Sequence, residues 1–106
     1  MEYDYIIVGA GSAGCVMANR LSADGKHKVL VLEAGKKSNF WTQFPISFAL
    51  LLDDPKANWR FRSEPEEGTA NRVIPVPRGK VLGGSSAING LVYVRGQPLD
   101  YDTWAQ

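Results

Sequence analysis

The sequence predicts an α/β fold built on a parallel sheet, and three observations carry that expectation. An apolar run, Tyr3 to Val8, ends on a glycine loop, GAGSAG, at positions 9–14. Apolar and small residues then recur at three- and four-residue steps from Ala13 to Leu21. A second apolar run, Val29 to Leu32, ends on Glu33. Strand, helix and strand within about 30 residues make one βαβ unit.

Each element has its own reason. Tyr3 to Val8 is rich in β-branched and aromatic residues, the composition of a strand buried on both faces in a parallel sheet. A helix beginning near Ser12 would place Ala13, Val16, Met17, Ala18 and Leu21 on one face and turn Asn19 and Arg20 outward. Asp24 and Gly25 mark the turn that ends it. The right-handed crossover rule sets Val29–Leu32 parallel and adjacent to the first strand, so Gly9 and Glu33 become neighbours at the carboxyl ends.

Residues 36–78 form an excursion. KKSNFWTQFP has no clear period, and Ile46 to Leu52 reads as one short helix or a packed loop. Asn58 to Arg62 alternates, with Trp59 and Phe61 on one side, as an edge strand does. Ser63 to Asn71 is polar, and Arg72 to Pro77 suits a short extended segment with prolines at its edge. From Ser85 the chain is helix-competent until Gly90, Val92 and Val94 weaken the pattern. The closing DYDTWAQ shows neither a helix stop nor a turn signal, so the chain is expected to be part of a larger fold.

Composition excludes several function classes. The 106 residues include 12 basic and 11 acidic side chains, interspersed, for a net charge of +1, so no basic stripe addresses nucleic acid. A single cysteine, Cys15, and a single histidine, His27, exclude an internal disulfide and a zinc site. Glu2 and Asp4 stand where a signal peptide needs positive charge, which points to a cytoplasmic, reducing location. Ile46–Leu52 is far short of the roughly 20 residues that span a bilayer. Peripheral attachment at the inner membrane stays open.

The first glycine loop has a definite chemistry. Gly9 permits a tight turn off the strand, Gly11 lets backbone approach a pyrophosphate, and Gly14 lets the helix pack on the sheet. The N–H groups at Ser12 and Ala13 would point at the phosphates from the helix start. Eighteen residues separate Glu33 from Gly14, and Ala34 stands beside it, where a carboxylate accepts ribose hydroxyls and repels a 2′-phosphate. Strand, helix and acid in the right order confirm the motif. This loop does not separate NAD from FAD.

A second glycine turn follows at Gly83 and Gly84, ahead of Ser85 and Ser86, both helix-capping residue types. On physical grounds it is either an ordinary capped helix or a second cradle of N–H groups for a polar ligand. The stretch GKVLGGSSAIN, from Gly79 to Asn89, resembles the glucose-methanol-choline (GMC) flavoprotein oxidoreductases, whose motif has the form G-[RK]-x-[LIV]-G-G-S-S-x-[LIV]-[NH]. DYIIVGAGSAGCVMANRLS, VLVLEAG, Asn58–Trp59, LVYVRG and DYDTWA extend the resemblance over nearly the whole chain, most similar to choline dehydrogenases and medium-chain alcohol dehydrogenases.

The resemblance implies the N-terminal part of a Rossmann-like FAD-binding domain, with residues 1–35 as the βαβ unit, 36–78 as the excursion and 79–106 as a flavin-side motif. It places Gly9, Gly11, Ser12, Ala13 and Gly14 at the pyrophosphate and Glu33 with Ala34 at the adenosine. Val81, Gly83, Gly84, Ser85, Asn89, Gly90, Leu91 and Val92 fall toward the flavin. Some members attach flavin through a histidine at the position of Ile88, so FAD here is expected to be non-covalent. The implied reaction is oxidation of a small-molecule primary alcohol, choline-like or aliphatic, with quinone or oxygen as electron acceptor.

The family's base is a histidine far downstream, and its substrate domain lies outside these 106 residues. Micromolar binding needs about 8 kcal/mol. A helix terminus supplies roughly 0.3–1 kcal/mol, and a charged hydrogen bond about 1.5–3 kcal/mol. The chain alone is therefore expected to hold FAD weakly and to have no turnover. An NAD-dependent dehydrogenase module and a non-catalytic dinucleotide-binding fragment are the alternative readings. Cys15 is expected to be a packed small residue and His27 a solvated turn residue. Trp41, Trp59 and Trp104 are read as packing or lid residues.

Overall fold

The computed structural model describes residues 2–37 and 40–106; Ser38 and Asn39 of the excursion lie outside the described residues. Strand β1 (Tyr5–Val8), helix α1 (Ser12–Ser22) and strand β2 (Val29–Leu32) form the expected βαβ unit. The strands pair in parallel with Tyr5 opposite Val29 and Val8 opposite Leu32, and α1 packs against both. The ladder runs one step further, where the Gly9 N–H donates to the Leu32 carbonyl at 2.7 Å.

Burial departs from expectation. Of β1 only Ile7 is buried, while Val8 is 84% exposed, because two strands with one covering helix leave the other face and both edges open. The inward face of α1 is Gly14, Ala18 and Leu21, at steps of four and three; Val16 and Met17 turn to solvent. Cys15, expected to be packed, is exposed, one step of about 100° off that face. Its thiol donates to the Ala10 carbonyl at 3.3 Å. His27 is exposed, edge-on to Tyr5.

The excursion holds a short helix, α2 (Phe48–Asp53), followed by an antiparallel pair, β3 (Phe61–Arg62) and β4 (Pro75–Val76). Trp59 and Phe61 lie on one side with their rings stacked, as the alternation required. The strand is shorter than Asn58–Arg62 because the Asn58 Oδ1 accepts the Arg60 N–H and holds Arg60 at φ 57°. The core gathers Leu51 of α2 with Ala57, Val81 and Ile88, so α2 buttresses the second glycine turn.

Beyond that turn the expected helix is a single 3-10 turn, Gly84–Ala87, without a side-chain cap. The Asn89 side chain accepts the Leu91 N–H and Leu91 takes φ 57°, which bends the chain out of any helix. Helix α3 (Pro98–Trp104) was not foreseen: Gln97 and Asp100 form a reciprocal capping box around Pro98. Among the described residues no helix is long and apolar enough to cross a membrane.

Candidate functional site

The two glycine turns are packed on each other, which local sequence gave no reason to expect. The Gly83 N–H donates to the Ala10 carbonyl at 2.8 Å, and Gly11 and Gly83 form a parallel bridge. The Ser12 and Ser86 hydroxyls meet across the seam. Gly84 sits at φ 60°, and a Cβ there would lie 2.9 Å from the Gly11 Cα, so no side chain fits between the turns. At Gly14 a Cβ would collide with the Gly9 carbonyl, which lets α1 start directly beneath the loop.

Glu33 ties this corner together. Its Oε2 accepts the Ala10 N–H and its Oε1 accepts the Gly35 N–H, each at 2.8 Å. Each carboxylate oxygen has a second lone pair, so both can accept a further hydroxyl. The residue after the corner is pinned to the second turn, because the Leu82 N–H donates to the Lys36 carbonyl at 3.0 Å. Gly11 at the start of α1 offers no side-chain cap. The first-turn N–H groups of a helix have no intrahelical acceptor, so those of Ser12, Ala13 and Gly14 face an external acceptor with the positive end of the helix dipole behind them.

Two adjoining clefts make one trough along the seam. The first, about 370 Å³, is lined by Glu33 and Ala34 together with Trp59, Phe61 and Arg78. The second, about 390 Å³, runs past Ser12, Ala13, Gly14 and Ser86. They share Val8, Gly9, Gly11 and Ser85. A larger cleft of about 600 Å³ lies between α2 and the β3–β4 pair, but it touches neither glycine turn.

Of the residues expected to act together, Gly9, Gly11, Ser12, Ala13, Gly14, Glu33, Ala34, Gly84 and Ser85 line the trough. Gly83 is packed on Ala10 instead. The Val81 side chain is 1% exposed in the core and cannot present itself to a ligand. Asn89 and Leu91 line a separate cleft of about 100 Å³ beside Ser86 and Phe48, and Gly90 lies against Phe48. Val92 is 82% exposed. Trp59, Phe61, Arg78 and Ser86 were missed; the alternation around Trp59 fixed its side of the strand but not what that side faces. No group of potential metal ligands occurs among the described residues.

The βαβ unit, its uncapped helix start and its terminal carboxylate define the class: the N-terminal part of a Rossmann-like dinucleotide-binding domain. The chain belongs to the GMC oxidoreductase family, whose pattern it matches over residues 3–106. It is 53% identical over 105 residues to an oxygen-dependent choline dehydrogenase of Photobacterium profundum, covering 98% of this chain and 18% of that protein. An alcohol dehydrogenase [acceptor] of Pseudomonas putida is also 53% identical, over 98% of this chain and 19% of that one. Among solved structures, pyridoxine 4-oxidase from Mesorbium loti superposes with a TM-score of 0.81 at 37% identity, over 98% of this chain and 20% of that chain. The chain thus spans about a fifth of the length of these relatives.

Proposed function

We propose that this chain supplies the FAD-binding N-terminal part of an enzyme that oxidises a primary alcohol, choline-like or aliphatic. The observation that carries the reading is the continuous trough in which the glycine loop, the uncapped start of α1, Glu33 and the second glycine turn meet. A dinucleotide needs those groups in that order: N–H donors for its pyrophosphate and a carboxylate for its ribose. Ser12, Ala13 and Gly14 hold the phosphates, Glu33 and Ala34 the adenosine, and Gly84 with Ser85 the passage toward the flavin. Asn89 to Val92 form the flavin side, beyond Ser86. Val81 and Ile88 support this side from the core rather than by contact.

In domain terms, residues 1–35 are the βαβ unit, 36–78 the excursion that walls it, and 79–106 the flavin-side segment. FAD, when bound, supplies the acceptor for hydride from a CH–OH carbon. The chain's own residues bind and orient; they do not supply the base. His27 packs on Tyr5 at the start of β1, the end opposite the glycine loop. The electron acceptor is a quinone or oxygen, and the enzyme works in the cytoplasm, peripherally on the inner membrane if the acceptor is a quinone.

The test is the visible spectrum of the intact enzyme carrying this region, a protein of its relatives' length. Flavin absorption bands that bleach anaerobically on adding choline or an aliphatic alcohol are expected. A colourless protein that retains NAD, or a yellow one that no alcohol bleaches, would overturn the proposal.

A further inference from the structure

The chain has asparagines at positions 19, 39, 58, 71 and 89, and Asn89 alone precedes a glycine. Its surroundings favour one reaction of that dipeptide, attack of the Gly90 backbone nitrogen on the Asn89 side-chain amide. The amide is already drawn into place. Asn89 Oδ1 accepts the Leu91 N–H at 3.0 Å, a bond that folds the side chain back over the Gly90 peptide and withdraws electrons from the carbonyl carbon. The nucleophile is open, because Gly90 carries no side chain and no acceptor takes its N–H among the described residues. Both residues are exposed. Asn58 is the contrast: it is 3% exposed, its amide nitrogen donates to the Leu52 carbonyl, and Trp59 follows it.

We propose that Asn89 is a deamidation site and that bound cofactor shields it. The Gly90 nitrogen bonds to Asn89 Cγ, the Cγ–Nδ2 bond breaks, and ammonia leaves with the proton that Gly90 gave up. Water then opens the cyclic imide at either carbonyl. One opening leaves aspartate at position 89, and the other routes the backbone through the side-chain carboxyl as isoaspartate. One water is consumed and one ammonia released, with no change of oxidation state. Either product puts a negative charge into the uncharged stretch between Lys80 and Arg95. The reaction itself goes beyond the FAD reading; the shielding rests on it, because that reading sets Asn89 to Val92 on the flavin side.

The test incubates the intact enzyme, flavin-free and with FAD, for days at mildly alkaline pH. Tryptic peptide 81–95 is then mapped by mass spectrometry with electron-transfer fragmentation, which separates isoaspartate from aspartate. Flavin-free wild type is expected to accumulate both products at position 89 and to leave Asn19 and Asn71, each exposed and followed by arginine, unchanged. Gly90→Ala is the control: its Cβ would sit 3.5 Å from the Phe48 ring, an ordinary contact, while the methyl crowds the attacking nitrogen and is expected to slow conversion about tenfold. The wild-type result stands even if that variant does not fold. With free FAD at about ten times its Kd, conversion is expected to slow about tenfold, since only the unbound fraction reacts. An unmodified 81–95 peptide in flavin-free enzyme, or conversion of Gly90→Ala at the wild-type rate, would overturn the deamidation site. Equal conversion with and without bound FAD would overturn the shielding alone. Apoprotein that does not bind FAD would overturn the cofactor reading and the shielding with it, and conversion at position 89 would still support the site.

Discussion

Replacing Gly84 with alanine tests the contact between the two glycine turns. Gly84 takes φ 60°, where an L-residue is strained by about 1–2 kcal/mol. The new Cβ would also lie 2.9 Å from the Gly11 Cα, a backbone atom that cannot swing aside. Overfilling a packed contact costs about 1–3 kcal/mol, so Gly84→Ala is expected to destabilise by about 2–5 kcal/mol. Gly25→Ala is the control: φ is 69°, nothing lies within 4 Å of the added carbon, and only the strain remains. Urea unfolding of the intact apoprotein gives both losses, and FAD titration shows where they act. Gly84→Ala should lose more stability than Gly25→Ala and should alone lose FAD affinity. Equal losses, or unchanged FAD affinity in Gly84→Ala, would refute the view that the turns meet to build the site.

Glu33→Gln places an amide nitrogen against one of two backbone N–H donors, so one charge-assisted bond, about 1.5–3 kcal/mol, is lost. Faster hydrogen exchange at the Ala10 or Gly35 amide, measured by NMR, is the expected sign. Ile88 is 3% exposed and has no nucleophile, so acid precipitation of the holoenzyme should leave all the flavin in the supernatant; flavin in the pellet would contradict it. Leu51→Ala removes a 2%-exposed side chain from beneath the second turn and should cost about 2–5 kcal/mol in denaturant unfolding.

The legible part of this fold is the part written in short range. Two apolar runs, a glycine loop and a helical period fix β1, α1 and β2, and the crossover rule then brings Glu33 beside Gly9. The meeting of Gly84 with Gly11 spans more than seventy residues and depends on the excursion between them, so no local period reports it. Val81 shows the same limit. Its place in the glycine motif marks it for the site, yet its burial is set by Leu51 and Ala57, which the motif does not contain. Helix α3 did carry a signal, Gln97, Pro98 and Asp100 at N-cap, N1 and N3, but the pattern uses glutamine and aspartate where serine or threonine and glutamate are usual.

The hydrogen bonds around Glu33 close into a ring, and that ring explains why two motifs far apart in sequence behave as one site. Gly83 donates to Ala10, Ala10 donates to one carboxylate oxygen of Glu33, and Gly35 donates to the other. Leu82 donates to Lys36, next to Gly35, and Leu82 is bonded to Gly83, where the circuit began. Two of these four bonds reach a carboxylate and are the stronger kind, about 1.5–3 kcal/mol each against about 0.5–1.5 for the others. A ligand that meets the start of α1 therefore finds its acceptor carboxylate and the second turn already placed, and little of its binding energy goes into ordering the loops. Glu33 therefore has a structural part beside the proposed ribose contact: its engaged lone pairs fix the backbone that shapes the trough.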